Sequence, residues 1–340
     1  MGGREISDFG LRISDLGTGT GDFGFRISDF GFRDQDGRFR IADFGFWGPR
    51  IRNPKSEIRN PKSLVPVSFM AACYSPPVID IHSHIMPEID DGARNLEEAV
   101  EMARIAVQDG IERMVSTPHM FNGLSQNPGP SEILDRVAAL NEAVAGACGG
   151  LLKILPGNEV HISHGIVDQV RHNQVTRINQ RNYMLVEFPR VTVPVAAEEL
   201  FDQLLFEGVQ PILVHPERNS QIQADPSIVA ALVEHGVLIQ VTAMSVTGEF
   251  GPAAKICADT LLRRNCVHFL ATDTHRTSSR PPILSKGRAA AAAIIGEDRA
   301  RALVLDNPRA VINGEAVQVQ PPIHLGSSAK PKRSFFSRFF

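Results

Sequence analysis

The chain has 340 residues, 43% of them hydrophobic, enough for one large domain with a sizeable core. Its 35 basic and 38 acidic residues leave a formal net charge of -3, so no global field draws in nucleic acid and no nucleic-acid partner is expected. The four cysteines, Cys73, Cys148, Cys257 and Cys266, are scattered without a CxxC pair, which reads as reduced thiols in a cytoplasmic protein rather than a disulfide framework.

In chain order, residues 1–69 come first and repeat themselves. "ISDFG" stands at 6–10 and again at 27–31, with "ISDLG" and "IADFG" as variants, and "IRNPKS" occurs at 51–56 and 58–63. These copies are rich in Gly, Asp and Arg and carry no period long enough to bury a face. The segment is expected to be a disordered leader or sequence upstream of the true start, with Met70 as the candidate first residue; a small repeat module is the alternative. The apolar run "LVPVSFMAAC" is too short to span a membrane and lacks the organisation of a signal peptide.

From residue 76 the pattern changes to strand-like runs alternating with amphipathic helical ones. "VIDI" opens the series. Asn95 then caps "LEEAVEMARIAVQD", with Glu98 placed for a capping box and Gly110 to close the helix. Further strands are expected at "ERMVST", "LKILPG", "YMLVEF", "QPILV", "VLIQVT" and "VHFLAT", and helices at 131–146, 196–207, 226–235 and 253–264. Seven β/α units favour an α/β fold with a parallel sheet, and closure into a TIM-like barrel would put its active site at the C-terminal ends of the strands. An open doubly wound sheet is the alternative.

Ionisable residues gather just past those strands: His82, His84 and Asp91 after the first, His119 after the second, Glu159 after the third, Glu187 at the fourth, His215 after the fifth, and Asp273 and His275 after the seventh. Only the sixth, ending "VTAMS", offers no ligand. A lone HxH or strand-end glutamate is ordinary. The recurrence at one rim is not, because burying so many ionisable groups without counter-charge is costly, and a metal cluster removes the cost. The HxH spacing puts both imidazoles on one face of a strand. His161 and His164, at the start of an expected helix, and His268, inside a strand run, are not expected to be ligands. His172, His235 and His324 read as surface residues.

The runs "IDIHSHIMPEIDDG", "STPH", "LPGNE", "LVEFP", "HPERN" and "ATDTHRTSSRPP" resemble the PHP superfamily, and within it the bacterial CpsB/CapC-type protein tyrosine phosphatases of capsule and exopolysaccharide synthesis, over roughly residues 77–315. The resemblance implies a distorted (β/α)7 barrel with up to three divalent ions, usually manganese, with zinc, iron or magnesium as alternatives. It also implies action on the phosphotyrosine tail of a bacterial tyrosine kinase. By the same resemblance His82, His84, Glu159 and Asp273 hold the first ion, Glu159 bridges to a second held by Glu187 and His215, and Asp91, His119 and His275 form the third site. Arg218 and Arg280 match the phosphate-facing arginines, whose forks suit phosphate oxygens. Met120 stands where many relatives carry a second histidine, and Thr274 replaces a smaller residue.

The chemistry so implied is attack by a metal-activated hydroxide, with His275 or Asp273 assisting the phenolate leaving group. "CADTLLR" puts Cys257 and Arg263 at the C-x5-R spacing of cysteine-dependent tyrosine phosphatases, yet it has no glycine and the period of a helix, so Cys257 is expected in the core or on a helix surface. The rival functions are another PHP phosphoesterase, histidinol-phosphatase-like, and a non-catalytic phosphotyrosine-binding scaffold. The domain is expected to span 70–320, followed by a tail at 321–340. Its end, "KPKRSFFSRFF", interleaves basic residues with phenylalanines; it is either a solvated tail or a contact with the inner membrane surface or the kinase.

Overall fold

The computed structural model describes residues 77–323, together with two short paired strands, Phe32–Arg33 and Phe39–Arg40, in the leader. Those two strands run antiparallel, Phe32 opposite Arg40. Met70, Cys73, His324 and the tail 330–340 lie outside the described residues, as do most of the leader repeats.

All seven expected strands are present: β1 (Val78–Ser83), β2 (Ile111–Ser116), β4 (Lys153–Pro156), β6 (Tyr183–Glu187), β7 (Gln210–Val214), β8 (Leu238–Thr242) and β9 (Phe269–Ala271). Two short ones, not expected as separate elements, join them: β3 (His119–Met120) and β5 (Glu159–His161). Every pairing among these nine is parallel, in a three-stranded sheet of order β1-β2-β4 and a six-stranded sheet of order β9-β8-β7-β6-β5-β3. The fold is thus α/β with parallel sheets.

The division has a local cause. After β2 the chain meets Pro118, which has no N–H to donate to a ladder, and after β4 it meets Gly157, where a Cβ would lie 2.8 Å from Val115 Cγ1. Both strands break there and resume one sheet over, so that His119 sits opposite Glu159 and His161 opposite Glu187. His161 therefore ends a strand rather than starting a helix. At the other edge Ser83 pairs with Thr274 in an isolated parallel bridge, and Asp273 N–H donates to His82 O at 2.9 Å.

The strands are buried on both faces, as parallel strands between helices must be. Met184, Val186, Leu213, Ile239 and Val241 pack into the larger apolar cluster with the helices, while Tyr183, Leu185, Ile212, Val214 and Leu238 from the same strands join a second cluster with Ile79, Ile81 and Phe269. Full burial of Phe201 in the first and Phe269 in the second contributes roughly 1.5–3 kcal/mol each.

The helices are α1 (Leu96–Gln108), α2 (Pro130–Cys148), α3 (Ile166–Arg171), α4 (Ala197–Phe206), α5 (Ser220–Ala224), α6 (Ser227–Glu234), α7 (Ala243–Thr247), α8 (Pro252–Arg263), α9 (Ser285–Ile295), α10 (Glu297–Arg301) and α11 (Asn307–Asn313); α1, α2, α4, α6 and α8 fall where the periodicity puts them, and the other six lie outside the expected ranges. Asn95 caps α1 by accepting from Glu98 N–H at 2.9 Å. The return half of the box differs from expectation: the Glu98 carboxylate accepts from Arg94 N–H at 3.0 Å and from the Arg94 guanidinium. Arg94, one residue before the cap, offers a charged donor, and an ionised pair outbids a neutral N–H. No helix among the described residues is long and apolar enough to cross a membrane.

Candidate metal centre

The site grows from the C-terminal end of β1. His82 and His84 are both fully buried and their Nε2 atoms lie 3.3 Å apart, so the HxH rings do meet, although the β1–β2 register slips between Asp80 and Ser83 and His84 lies past the strand end. The loop "DDG" folds back over His84. Ala93 N–H donates to His84 O at 3.0 Å, and Gly92 is required because a Cβ there would stand 2.1 Å from that same oxygen.

Glu159, fully buried at the start of β5, is the hub. Its Oε2 lies 3.3 Å from His82 Nε2, 3.3 Å from His84 Nε2 and 2.9 Å from His119 Nδ1, while Oε1 lies 2.7 Å from His215 Nε2. Glu187, ending β6, faces His119 Nδ1 at 3.7 Å and His215 Nε2 at 3.8 Å. Asp273 Oδ1 lies 3.5 Å from His82 Nε2 and 3.3 Å from His84 Nε2. Asp91 is the one exposed member, with Oδ1 3.3 Å from His275 Nε2 and 3.6 Å from His119 Nε2.

All nine residues singled out in the sequence therefore stand at one rim. Their donor atoms fall into four overlapping groups able to hold an ion: His84, Asp91, His119 and His275; His82, His84 and Asp273; His82, Glu159 and His215; and His119, Glu159 and Glu187. Imidazole nitrogens with carboxylate oxygens suit divalent ions such as zinc, manganese or iron. Glu159 Oε2 and His119 Nδ1, though close, are buried without a hydrogen bond, which is the arrangement of atoms aimed at a shared ion rather than at each other.

Electrostatics fit a cationic occupant. Burial opposes charge on Glu159 and Asp273, yet His82 and His119 around the first, and Arg218, His82 and Arg280 around the second, hold both carboxyls well below the usual range. Burial, with Arg218 beside it, pushes His215 down to about 4 and keeps that ring neutral, the form that coordinates. His215 (φ 37°) and Asp273 (φ 51°) both adopt the left-handed region, a strain that the pairing around them holds in place.

Arg218 and Arg280 converge on the far oxygen of Asp273: Arg218 Nη1 donates to Oδ2 at 2.8 Å and Arg280 Nη2 pairs with the same atom. The Nε atoms of both guanidiniums are buried without a partner among the described residues.

Several residues that sequence reasoning passed over orient this set. Asp90 Oδ2 accepts from His84 Nδ1–H at 2.7 Å and from His119 N–H at 3.0 Å. Gln240, on the strand read as offering no ligand, lies with Oε1 2.9 Å from His82 Nδ1. Asp80, pushed up to about 6 by burial, accepts from Thr272 N–H at 3.1 Å and ties β1 to β9. The signal for Asp80 and Gln240 was a polar side chain inside an apolar run, and for Asp90 its place beside Asp91 in "DDG". His161 Nδ1 lies 3.6 Å from Glu187 Oε2 at the edge of the cluster, whereas His172 and His235 are exposed, the first against Asp168 O and the second facing Glu198 and Asp202.

Residues 78–313 match the family described as "Capsular polysaccharide synthesis, CpsB/CapC". The chain belongs to that family. It is 38% identical over 203 residues to the tyrosine-protein phosphatase YwqE of Bacillus subtilis, covering 60% of this chain and 79% of that one. It is 27% identical over 245 residues to the tyrosine-protein phosphatase CpsB of Streptococcus pneumoniae, covering 71% of this chain and all 100% of that one. The crystal structures of YwqE and CpsB, described as unique metal-dependent tyrosine phosphatases, include one that superposes with a TM-score of 0.69 at 33% identity, over 73% of this chain and 99% of that one.

Proposed function

We propose that this CpsB/CapC-family chain is a metal-dependent protein tyrosine phosphatase that hydrolyses phosphotyrosine on a bacterial tyrosine kinase regulating capsule or exopolysaccharide synthesis. The observation that carries this reading is the convergence of four imidazoles on the Glu159 carboxylate beside two guanidiniums sharing Asp273. The reading takes the two parallel sheets as one distorted (β/α)7 barrel, which the Ser83–Thr274 bridge supports.

His82, His84, Glu159 and Asp273 would hold a first divalent ion, Glu159, Glu187 and His215 a second, and Asp91, His119 and His275 a third, manganese being the proposed metal. When bound, such ions supply an activated water near neutral pH and neutralise phosphoryl charge. The chain's own residues do the rest. Arg218 and Arg280 take the phosphate oxygens through guanidiniums whose Nε donors have no partner among the described residues, and Asp273 keeps both guanidiniums turned toward the ion-binding side chains. His275 and Asp273 stand on the turn that Arg280 closes, where His275 N–H donates to Arg280 O at 3.1 Å; His275 is the group that would assist the departing phenolate, while Asp273, held ionised by the two arginines, orients them. A phenol's pKa near 10 makes that protonation less demanding than for an alkyl ester.

The proposal assigns the activity to residues 70–320 and to the cytoplasm, with a kinase tail as partner and the segment 330–340 as a peripheral membrane contact. The deciding experiment measures bound metal and turnover of phosphotyrosine peptides against histidinol phosphate. Activity that is lost on chelation, restored by manganese and greater on the peptide is expected. Full activity in metal-free protein, or preference for histidinol phosphate, would overturn the reading; phosphopeptide binding without turnover would make the chain a scaffold.

A further inference from the structure

The two arginines present an electrostatic problem. Their side chains are largely buried, with 11% exposure for Arg218 and 18% for Arg280, and they are alike in charge. The anionic atom they share, Asp273 Oδ2, belongs to a carboxylate whose other oxygen faces His82 and His84. A second source of negative potential is present. The centre of the Phe250 ring lies 5.1 Å from the Arg218 guanidinium carbon and 5.4 Å from that of Arg280, within the range at which an aromatic quadrupole attracts a cation.

Phe250 is built for that contact rather than for packing. It is half-buried and belongs to neither apolar cluster of the described residues. The segment carrying it, "TGEFGP", leaves α7 through Gly248 at φ 100° and enters α8 through Gly251 at φ 91°. These left-handed residues, cheap only for glycine, turn the chain back on itself and bring Phe250 N–H to Met244 O at 3.4 Å. This is the segment after β8, the strand whose end supplies no metal-ligating side chain.

We infer that Phe250 is a positioning residue for phosphate recognition: its ring holds the Arg218 and Arg280 guanidiniums side by side as one receptor for a phosphate group. The inference rests on the proposed phosphatase reading for its meaning, but phosphate binding tests it separately. Without the ring, Asp273 Oδ2 is the one atom among the described residues that pairs directly with both guanidiniums, and the two like charges separate, so the receptor must be reassembled each time phosphate arrives. The ring faces the two guanidiniums rather than a metal-ligating side chain, so metal content should be independent of it.

The test compares Phe250→Leu and Phe250→Tyr in the full chain loaded with manganese, reading bound metal, the Kd for inorganic phosphate by calorimetry, and KM and kcat for an aryl phosphate. Leucine fills space without a quadrupole, whereas tyrosine keeps it. The expected result is a rise of about tenfold in phosphate Kd and in KM for Phe250→Leu, the scale of a desolvated cation–π contact, with metal content and melting temperature unchanged and near-normal values for Phe250→Tyr. Unchanged phosphate affinity in Phe250→Leu overturns the inference. So does equal impairment of both variants, or impairment accompanied by loss of metal or of fold, since each marks a structural role. If the unsubstituted protein binds phosphate but turns over no phosphotyrosine, the phosphatase reading fails while the Phe250 comparison still stands or falls on phosphate affinity alone.

Discussion

His82 Nδ1 and Gln240 Oε1 lie 2.9 Å apart, both side chains fully buried, bringing a residue of β1 against one of β8. With Nδ1–H donating to that oxygen, the lone pair is left on Nε2, the atom that faces Glu159 and Asp273. Gln240 thus selects the tautomer that can bind a metal. Gln240→Met should lower metal affinity by about 10–100-fold, the usual cost of losing a partner that orients a histidine ligand, whereas Gln240→Glu keeps an acceptor and should largely preserve it. Metal titration against a competing chelator checks both, and equal affinities for the two variants would dismiss the orienting role.

His82→Ala, Glu159→Ala and Asp273→Ala should each nearly abolish turnover while the protein stays folded. Glu159→Ala should also lower the number of ions bound by more than one, because the carboxylate faces four imidazoles with its two oxygens. Metal content per chain and activity at limiting manganese are the measurements. Near-normal turnover in any of the three variants would refute the ligand assignment.

How far the sequence carried can be judged from particular residues. Apolar runs and period-3.6 patterning located the seven main strands and five helices, because burial on both faces of a parallel sheet leaves unmistakable apolar runs; α9, an alanine-rich helix with little polar contrast, was not read. The nine rim residues were legible because eight of them sit at or just past the end of such a run and the ninth, Asp91, in the loop that follows the first. The breaks at Pro118 and Gly157 were not read as changes of sheet, since a two-residue strand such as His119–Met120 has no period to read. Asp80, Asp90 and Gln240 were missed for a different reason: their partners, Thr272, His84 and His82, are fixed by tertiary contact, and for Asp80 and Gln240 those partners are far along the chain. The Phe250 contact with two arginines likewise exists only once the segment after α7 has folded back.

Cys257→Ser should leave turnover unchanged. Cys257 is buried on α8 whereas Arg263 is exposed at its end, so the C-x5-R spacing lies along a helix and forms no phosphate cradle. Burial, with Glu217 beside it, pushes the thiol up to about 12, far from the thiolate a nucleophile needs. The variant should lose stability by about 1–3 kcal/mol for the buried hydroxyl if it goes unpaired. A trapped phosphocysteine by mass spectrometry, or lost activity in a folded Cys257→Ser protein, would contradict the metal-based reading.

His268 should make the fold acid-sensitive. Its Nδ1 accepts the Ile239 N–H at 3.0 Å between β8 and β9, and burial pushes its pKa down to about 4. The fold therefore holds the neutral ring. Protonating Nδ1 would turn an acceptor against a donor. The unfolded chain binds the proton first, near its ordinary value of about 6.5, so the stabilisation is complete above that pH and is lost progressively as pH falls from there toward 4. With those two values, the linkage relation gives a loss of about 2 kcal/mol between pH 7 and pH 5. His268→Gln offers an acceptor that does not titrate, so its stability should fall less over the same interval. The titrations of the metal-site groups are common to both proteins and cancel in the difference. Urea unfolding of the two chains at pH 7 and pH 5 measures it, and parallel losses would show that the buried ring does not govern acid stability.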